Sequence, residues 1–137
     1  MRLKNSLLLV LPLLFTLTAC SKKDPTPDEM MKTFINDFST ENIDGATKSL
    51  GPALQARFAE KPESTKAAFK ARKEKVEKCG GYRAITSKYE ITPEQVSVEG
   101  YTLMEFNGQC PAEKQFLRLK RSDRQWLIDE FGPMVKQ

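Results

Sequence analysis

The chain has 137 residues, room for one domain and not comfortably for two. Charged side chains make up 29% of it and the formal net charge is +4, a balance too even to indicate nucleic-acid binding. There is no histidine, which removes Cys/His zinc sites, Ser-His-Asp triads and Cys-His pairs from consideration. Neither a P-loop nor a G-x-G-x-x-G stretch occurs, so no cofactor is expected.

Residues 1–19 read as a signal peptide. Arg2 and Lys4 give a positive start, and Leu7 to Leu17 is almost wholly apolar. That run is too short to span a bilayer, which takes about 20 apolar residues. Removing the leader takes two of the 22 basic groups and none of the 18 acidic ones, which leaves a net charge of about +2. Leu17-Thr18-Ala19-Cys20 follows. It resembles the lipobox of bacterial lipoproteins. The resemblance implies cleavage between Ala19 and Cys20, diacylglycerol on the Cys20 thiol and acylation of the new amino group. Two or more acyl chains anchor stably, because each buried CH₂ contributes about 0.8 kcal/mol. Ser21 stands where an inner-membrane retention signal would place aspartate, which resembles default sorting to the outer membrane, facing the periplasm. Residues 20–27 are then the lipidated cysteine and a proline-bearing tether.

Residues 28–133 read as one α+β domain. Thr26-Pro27-Asp28-Glu29 is a helix start with a capping box. Met30, Met31, Phe34, Ile35 and Phe38 form one apolar stripe, expected in the core. Asn42 can cap a second piece carrying Ile43, Ala46 and Leu50, and Ala53, Leu54 and Phe58 continue beyond Gly51-Pro52. Ser64 is placed to cap a charged helix over 65–78, whose Lys66, Lys70, Arg72, Lys73, Lys75 and Lys78 are expected to face solvent. After Cys79-Gly80-Gly81 the period changes to two. Ile85, Ser87, Tyr89 and Ile91 mark one strand and Val96 to Phe106 a second. Gly100 suggests a bulge or a sharp bend that hands the inward face to Tyr101 and Leu103. Asn107-Gly108 predicts a tight hairpin into a third strand at Phe116, Leu117 and Leu119. Trp126 to Phe131 mark a fourth, closed by Gly132-Pro133. The expectation is three helical pieces packed on a curved four-stranded antiparallel meander.

With Cys20 lipidated, Cys79 and Cys110 remain, an even pair that in an oxidising compartment predicts one disulfide. In a meander Cys79, just before the first strand, and Cys110, at the head of the third, fall at the same sheet end, and a bridge across two strand spacings requires the ends to bend together.

The helical first half, the Gly80-Gly81 approach to the sheet and the last strand Asp123-Arg124-Gln125-Trp126-Leu127-Ile128-Asp129 resemble the nuclear-transport-factor-two-like superfamily. Within it, the resemblance is to small bacterial lipoproteins described as lumazine-binding-like. It implies a cone, in which a curved sheet wraps helices and leaves a pocket. The superfamily holds enzymes and non-enzymes, so the fold leaves function open. An acid–tyrosine enzyme of isomerase or dehydratase type would need Asp129 or Glu105 beside Tyr82, Tyr89 or Tyr101, and none of these stands in a motif that carries a role over. The expected function is a non-enzymatic binding or envelope-accessory module, membrane-attached through its lipid, taking a protein partner or a small apolar ligand. An assembly subunit of an envelope or secretion complex is the other alternative. Lys114, Arg118, Lys120, Arg121 and Arg124 are the candidate basic surface, with cross-strand pairing as the plainer role. Cys20→Ser is expected to release the protein from membranes and to remove the acyl mass; fractionation with intact-protein mass spectrometry checks this, and a membrane-bound variant of unchanged mass rules the anchor out.

Overall fold

The computed structural model describes residues 23–137. The leader and the lipobox at Cys20 lie outside the described residues. Four helices come first: α1 (Pro27–Ser39), α2 (Ile43–Lys48), α3 (Pro52–Glu60) and α4 (Pro62–Lys78). Four strands follow: β1 (Tyr82–Ile91), β2 (Ser97–Phe106), β3 (Glu113–Ser122) and β4 (Gln125–Lys136). They form one antiparallel sheet in the order β1-β2-β3-β4, so the α+β meander is as expected.

The capping box closes as the sequence predicts: the Thr26 N–H donates to Glu29 Oε2 at 2.9 Å and the Glu29 N–H to Thr26 Oγ1 at 3.2 Å. Asn42 caps α2 through the Gly45 N–H at 3.0 Å. The helical half holds four helices rather than three, because Ser49–Gly51 leaves the helix to join the sheet. Ile128 donates its N–H to the Ser49 carbonyl at 2.8 Å, and Gly51 donates to the Ile128 carbonyl at 2.7 Å. Helix α4 begins at Pro62, with no side-chain cap, and not after Ser64. Proline suits the first helical position, since its missing N–H would be unpaired there anyway.

The core lies between the helices and one face of the sheet. Met31, Phe34 and Ile35 of α1, Ala46 and Leu50, Leu54 of α3 and Phe69 of α4 meet Val98 and Met104 of β2, Leu117 and Leu119 of β3, and Trp126 and Ile128 of β4. Each large apolar side chain buried here contributes roughly 1.5–3 kcal/mol. Along β2 the buried positions are Val98, Thr102, Met104 and Phe106, so Tyr101 and Leu103 stay on the outer face, against expectation. Gly100 marks no bulge: the β1–β2 register runs unbroken from Ala84 to Ile91. It marks a close approach instead, since a Cβ there would strike the Lys88 carbonyl and Tyr89. The register breaks lie elsewhere, at Tyr82/Ala84 in β1–β2 and at Gln115/Leu117 and Arg118/Leu119 in β3–β4. In β3–β4 the extra residues belong to β4, bending it over the helices. Gly132-Pro133 sits at one of these irregularities and does not end the strand, which runs on to Lys136.

Asn107-Gly108 is not a two-residue hairpin. It opens a loop over residues 107–112 that folds back onto the end of α4. Gly108 donates to the Cys79 carbonyl at 2.8 Å and Asn107 Nδ2 to the Gly80 carbonyl at 3.0 Å. Gly80 and Gly81 turn the chain there with φ of 79° and 81°, a left-handed conformation that glycine adopts without strain. Cys110 lies in this loop rather than on a strand, and its disulfide to Cys79 spans a Cα–Cα distance of 5.5 Å without bending the strands together. Val76, Cys79 and Phe106 form a small satellite core beneath it. Cys79→Ala with Cys110→Ala is expected to lower unfolding free energy by about 3–4 kcal/mol on the chain-entropy account; urea unfolding of the variant beside the oxidised parent measures it.

Candidate functional site

Between α1, α3, α4 and the bent half of β4 the helices stand away from the sheet and leave a cavity of about 410 Å³. That lies within the ~300–1,000 Å³ range of small-molecule sites. Its wall is aromatic. Phe34 lies 5.2 Å from Phe131 between ring centroids, Phe38 meets Phe69 edge-on at 4.8 Å, and Phe58 stacks toward Phe131 at 6.2 Å. Ala68 of α4 and Met134 of β4 complete the apolar surface. Phe34 and Phe38 therefore serve both as core and as cavity wall. The register break at Gln115/Leu117 puts both Phe131 and Met134 on the wall.

One buried polar side chain reaches this wall. Gln115 is 8% exposed, and its Nε2 donates to the Phe116 and Gly132 carbonyls, each at 2.9 Å. Its amide hydrogens are thereby committed to the β4 irregularity, and its side-chain oxygen remains the available group. Arg57, Lys61, Ser64 and Thr65 form the polar part of the rim. Thr65 Oγ1 is occupied, donating to the Lys61 carbonyl at 2.9 Å.

Beside the cavity runs a buried polar chain that begins at Arg72, only 6% exposed. Its Nη1 donates to Glu113 Oε2 at 3.3 Å and its Nη2 to the Tyr82 hydroxyl at 2.8 Å. Tyr82 lies 2.6 Å from Ser39 Oγ, and Ser39 donates to the Ile35 carbonyl at 2.7 Å. Because the Ser39 proton is spent on that carbonyl, the Tyr82 proton goes to Ser39. Lys75 approaches Glu113 Oε1 at 2.6 Å, an ionic contact without good hydrogen-bond alignment, and Arg72 Nε has no partner among the described residues. Arg72 also touches two thioethers, Met104 Sδ of the core at 3.1 Å and Met134 Sδ of the cavity wall at 3.7 Å.

The chain matches no protein-family model and no curated protein. Among solved structures it is similar to a Campylobacter jejuni protein designated, by name only, an NTF2-like transpeptidase. The TM-score is 0.66 at 16% identity, over 77% of this chain and 99% of that one. The fold is NTF2-like.

The NTF2-like sheet distributes the sequence candidates without gathering them. Lys114 sits over the Tyr101 ring at 4.6 Å on the outer face. Arg118 bonds Asp129 at 2.8 Å and Glu130 at 2.7 Å, and Lys120 approaches Asp129 at 3.7 Å. The Asp129 hydrogen bond, with help from Glu130, holds the Arg118 guanidinium above its ordinary basicity against a smaller loss from desolvation. Arg121 lies 5.9 Å from the Trp126 ring, and Arg124 is in the exposed β3–β4 turn. Of the acid–tyrosine candidates, Glu105 pairs with Arg83 at 3.2 Å and Asp129 with Arg118, while Tyr89 packs on the core and Tyr101 stacks beside Phe116. No carboxylate–tyrosine hydrogen bond forms among the described residues. Arg72 departs most from expectation. It looked like one more solvated cation of α4 and is instead the buried centre of the NTF2-like cone. Its signal was its spacing from Phe69, Val76 and Cys79, which puts all four on one helix face.

Arg72→Ala leaves Glu113 buried with only the half-exposed Lys75 and is expected to cost about 3–5 kcal/mol, whereas Arg72→Met with Glu113→Leu recovers most of that loss. Urea unfolding of the single and double variants separates the two outcomes.

Proposed function

We propose that this chain is a lipid-anchored envelope protein whose cone binds a small apolar molecule, with no covalent chemistry of its own. The observation that carries the reading is the phenylalanine-walled cavity between the helices and β4. Burying apolar ligand surface yields roughly 25 cal/mol per Å², so such a wall holds a ligand with few polar contacts. The cavity's floor and side are fixed by the Arg72 chain and by the core, which lowers the ordering cost of binding. Cys20 supplies the attachment, and the residues from there to position 25 supply the tether that holds the domain off the headgroups; Thr26 and Pro27, expected in the tether, belong to the capped start of α1. The name of the Campylobacter protein speaks of transpeptidation, and at 16% identity the likeness brings the fold and not the reaction.

Expression of residues 21–137 in the periplasm, without the lipidated cysteine, followed by purification and native mass spectrometry tests the reading. The expected result is a small molecule retained on the wild-type chain. Ala68→Trp, which fills the cavity from an exposed wall position, is expected to weaken its retention at least about tenfold. A wild-type chain that comes off bare overturns the proposal and moves the weight to protein docking.

A further inference from the structure

The cavity has a polarity along its depth that the apolar reading leaves unused. Its deep part is the buried rings of Phe34 and Phe69 and the spent amide of Gln115. Its mouth carries Arg57, in the last turn of α3, and Lys61, the single residue between α3 and α4. Neither cation has an acidic partner among the described residues, although Lys66 one turn on is paired with Glu63. Charges of this kind are common on surfaces; these two differ in lining the opening of an apolar space. Ser64 adds a neutral hydroxyl to the same mouth. The start of α4 adds no net attraction, because α3 ends at Glu60 with its opposite dipole end there and Glu63 stands in the first turn of α4. At depth, the Gln115 oxygen is an acceptor and would repel an anion. The site therefore favours one orientation, with the apolar part inward and the negative group outward.

Resting on the cavity reading above, we propose that the ligand is a single-chain fatty acid. Its alkyl chain lies among Phe34, Phe58, Phe69 and Phe131. Its carboxylate sits between Arg57 and Lys61. The carboxylate then keeps contact with water while the chain is desolvated, so no charge is buried. A neutral alcohol of the same length fills the same space and forgoes the attraction of the mouth. A cationic amphiphile is repelled there.

The test uses full-length protein in isolated envelope vesicles, depleted of ATP and coenzyme A so that the probe is not esterified. Two probes are compared: a palmitic-acid analogue carrying a diazirine and an alkyne, and the matching fatty alcohol. After irradiation, labelled peptides are mapped. The expected result is labelling of the α3–α4 and Phe131–Met134 peptides by both probes, with the acid favoured by about fivefold, the size expected of two screened surface charges. In Arg57→Gln with Lys61→Gln the preference disappears and alcohol labelling stays. Both residues are exposed, so the variant leaves the core untouched. Ala68→Trp removes labelling by both probes. Equal labelling of the wild type by acid and alcohol, or an acid preference that survives the double variant, overturns the fatty-acid proposal and leaves the apolar cavity standing. No labelling of these peptides by either probe overturns both.

Discussion

The position of α4 on the sheet depends on Arg72. Four side chains of α4 and its cap point at the sheet: Phe69, Arg72, Val76 and Cys79, at intervals of three, four and three. Phe69 enters the main core, Arg72 bonds β1 and β3 through Tyr82 and Glu113, and Cys79 is tied to the β2–β3 loop. The attachments lie in the C-terminal two-thirds of the helix. Its first turns, from Pro62 to Ala68, have no such hold. The cavity opens where the clamp ends, so the same arrangement that fixes the fold leaves the space between the helices and β4.

A buried ion pair is seldom there for stability alone, since desolvating both groups offsets their attraction. Here it gives register. An apolar stripe slides along an apolar sheet at little cost, whereas a guanidinium that must meet one carboxylate and one hydroxyl does not. Tyr82 and Ser39 extend the constraint to α1, so three elements are located by a single side chain. That the Nε proton of Arg72 is without partner shows that the geometry serves the two terminal nitrogens.

Much of the architecture was legible in the sequence because it rests on local chemistry. The Thr26–Glu29 box, the Asn42 cap and the alternation of β1 and β3 need only neighbours a few residues away. What was not legible depends on partners far along the chain. Gly100 reads as a bulge until Tyr89 is seen packing over it. Asn107-Gly108 reads as a hairpin until the end of α4 appears beside it and uses both residues. Gly132-Pro133 reads as a stop, yet β4 accommodates it at an irregularity on an edge strand, where a missing N–H is tolerated. The cavity was legible only as an implication of the resemblance to the cone. Its wall draws on residues from Phe34 to Met134, and nothing in the spacing of Phe58 and Phe131 announces that they meet. The basic residues of β3 were visible by type, but Asp129 and Glu130 opposite Arg118 decide how much of that charge remains free.

The detour of Ser49–Gly51 onto Ile128 has a consequence beyond splitting two helices. Strand β4 is the last in the sheet, and its stretch Trp126–Leu127–Ile128 is the kind of apolar edge that invites another chain to add itself. Residues 49–51 occupy the outward amide and carbonyl of Ile128, forming a one-bridge selvedge along the sheet's open side. A neighbouring molecule approaching Ile128 finds both of its outward hydrogen-bonding groups already taken. The fold thus carries its own guard against self-templated stacking, built from the joint between two short helices.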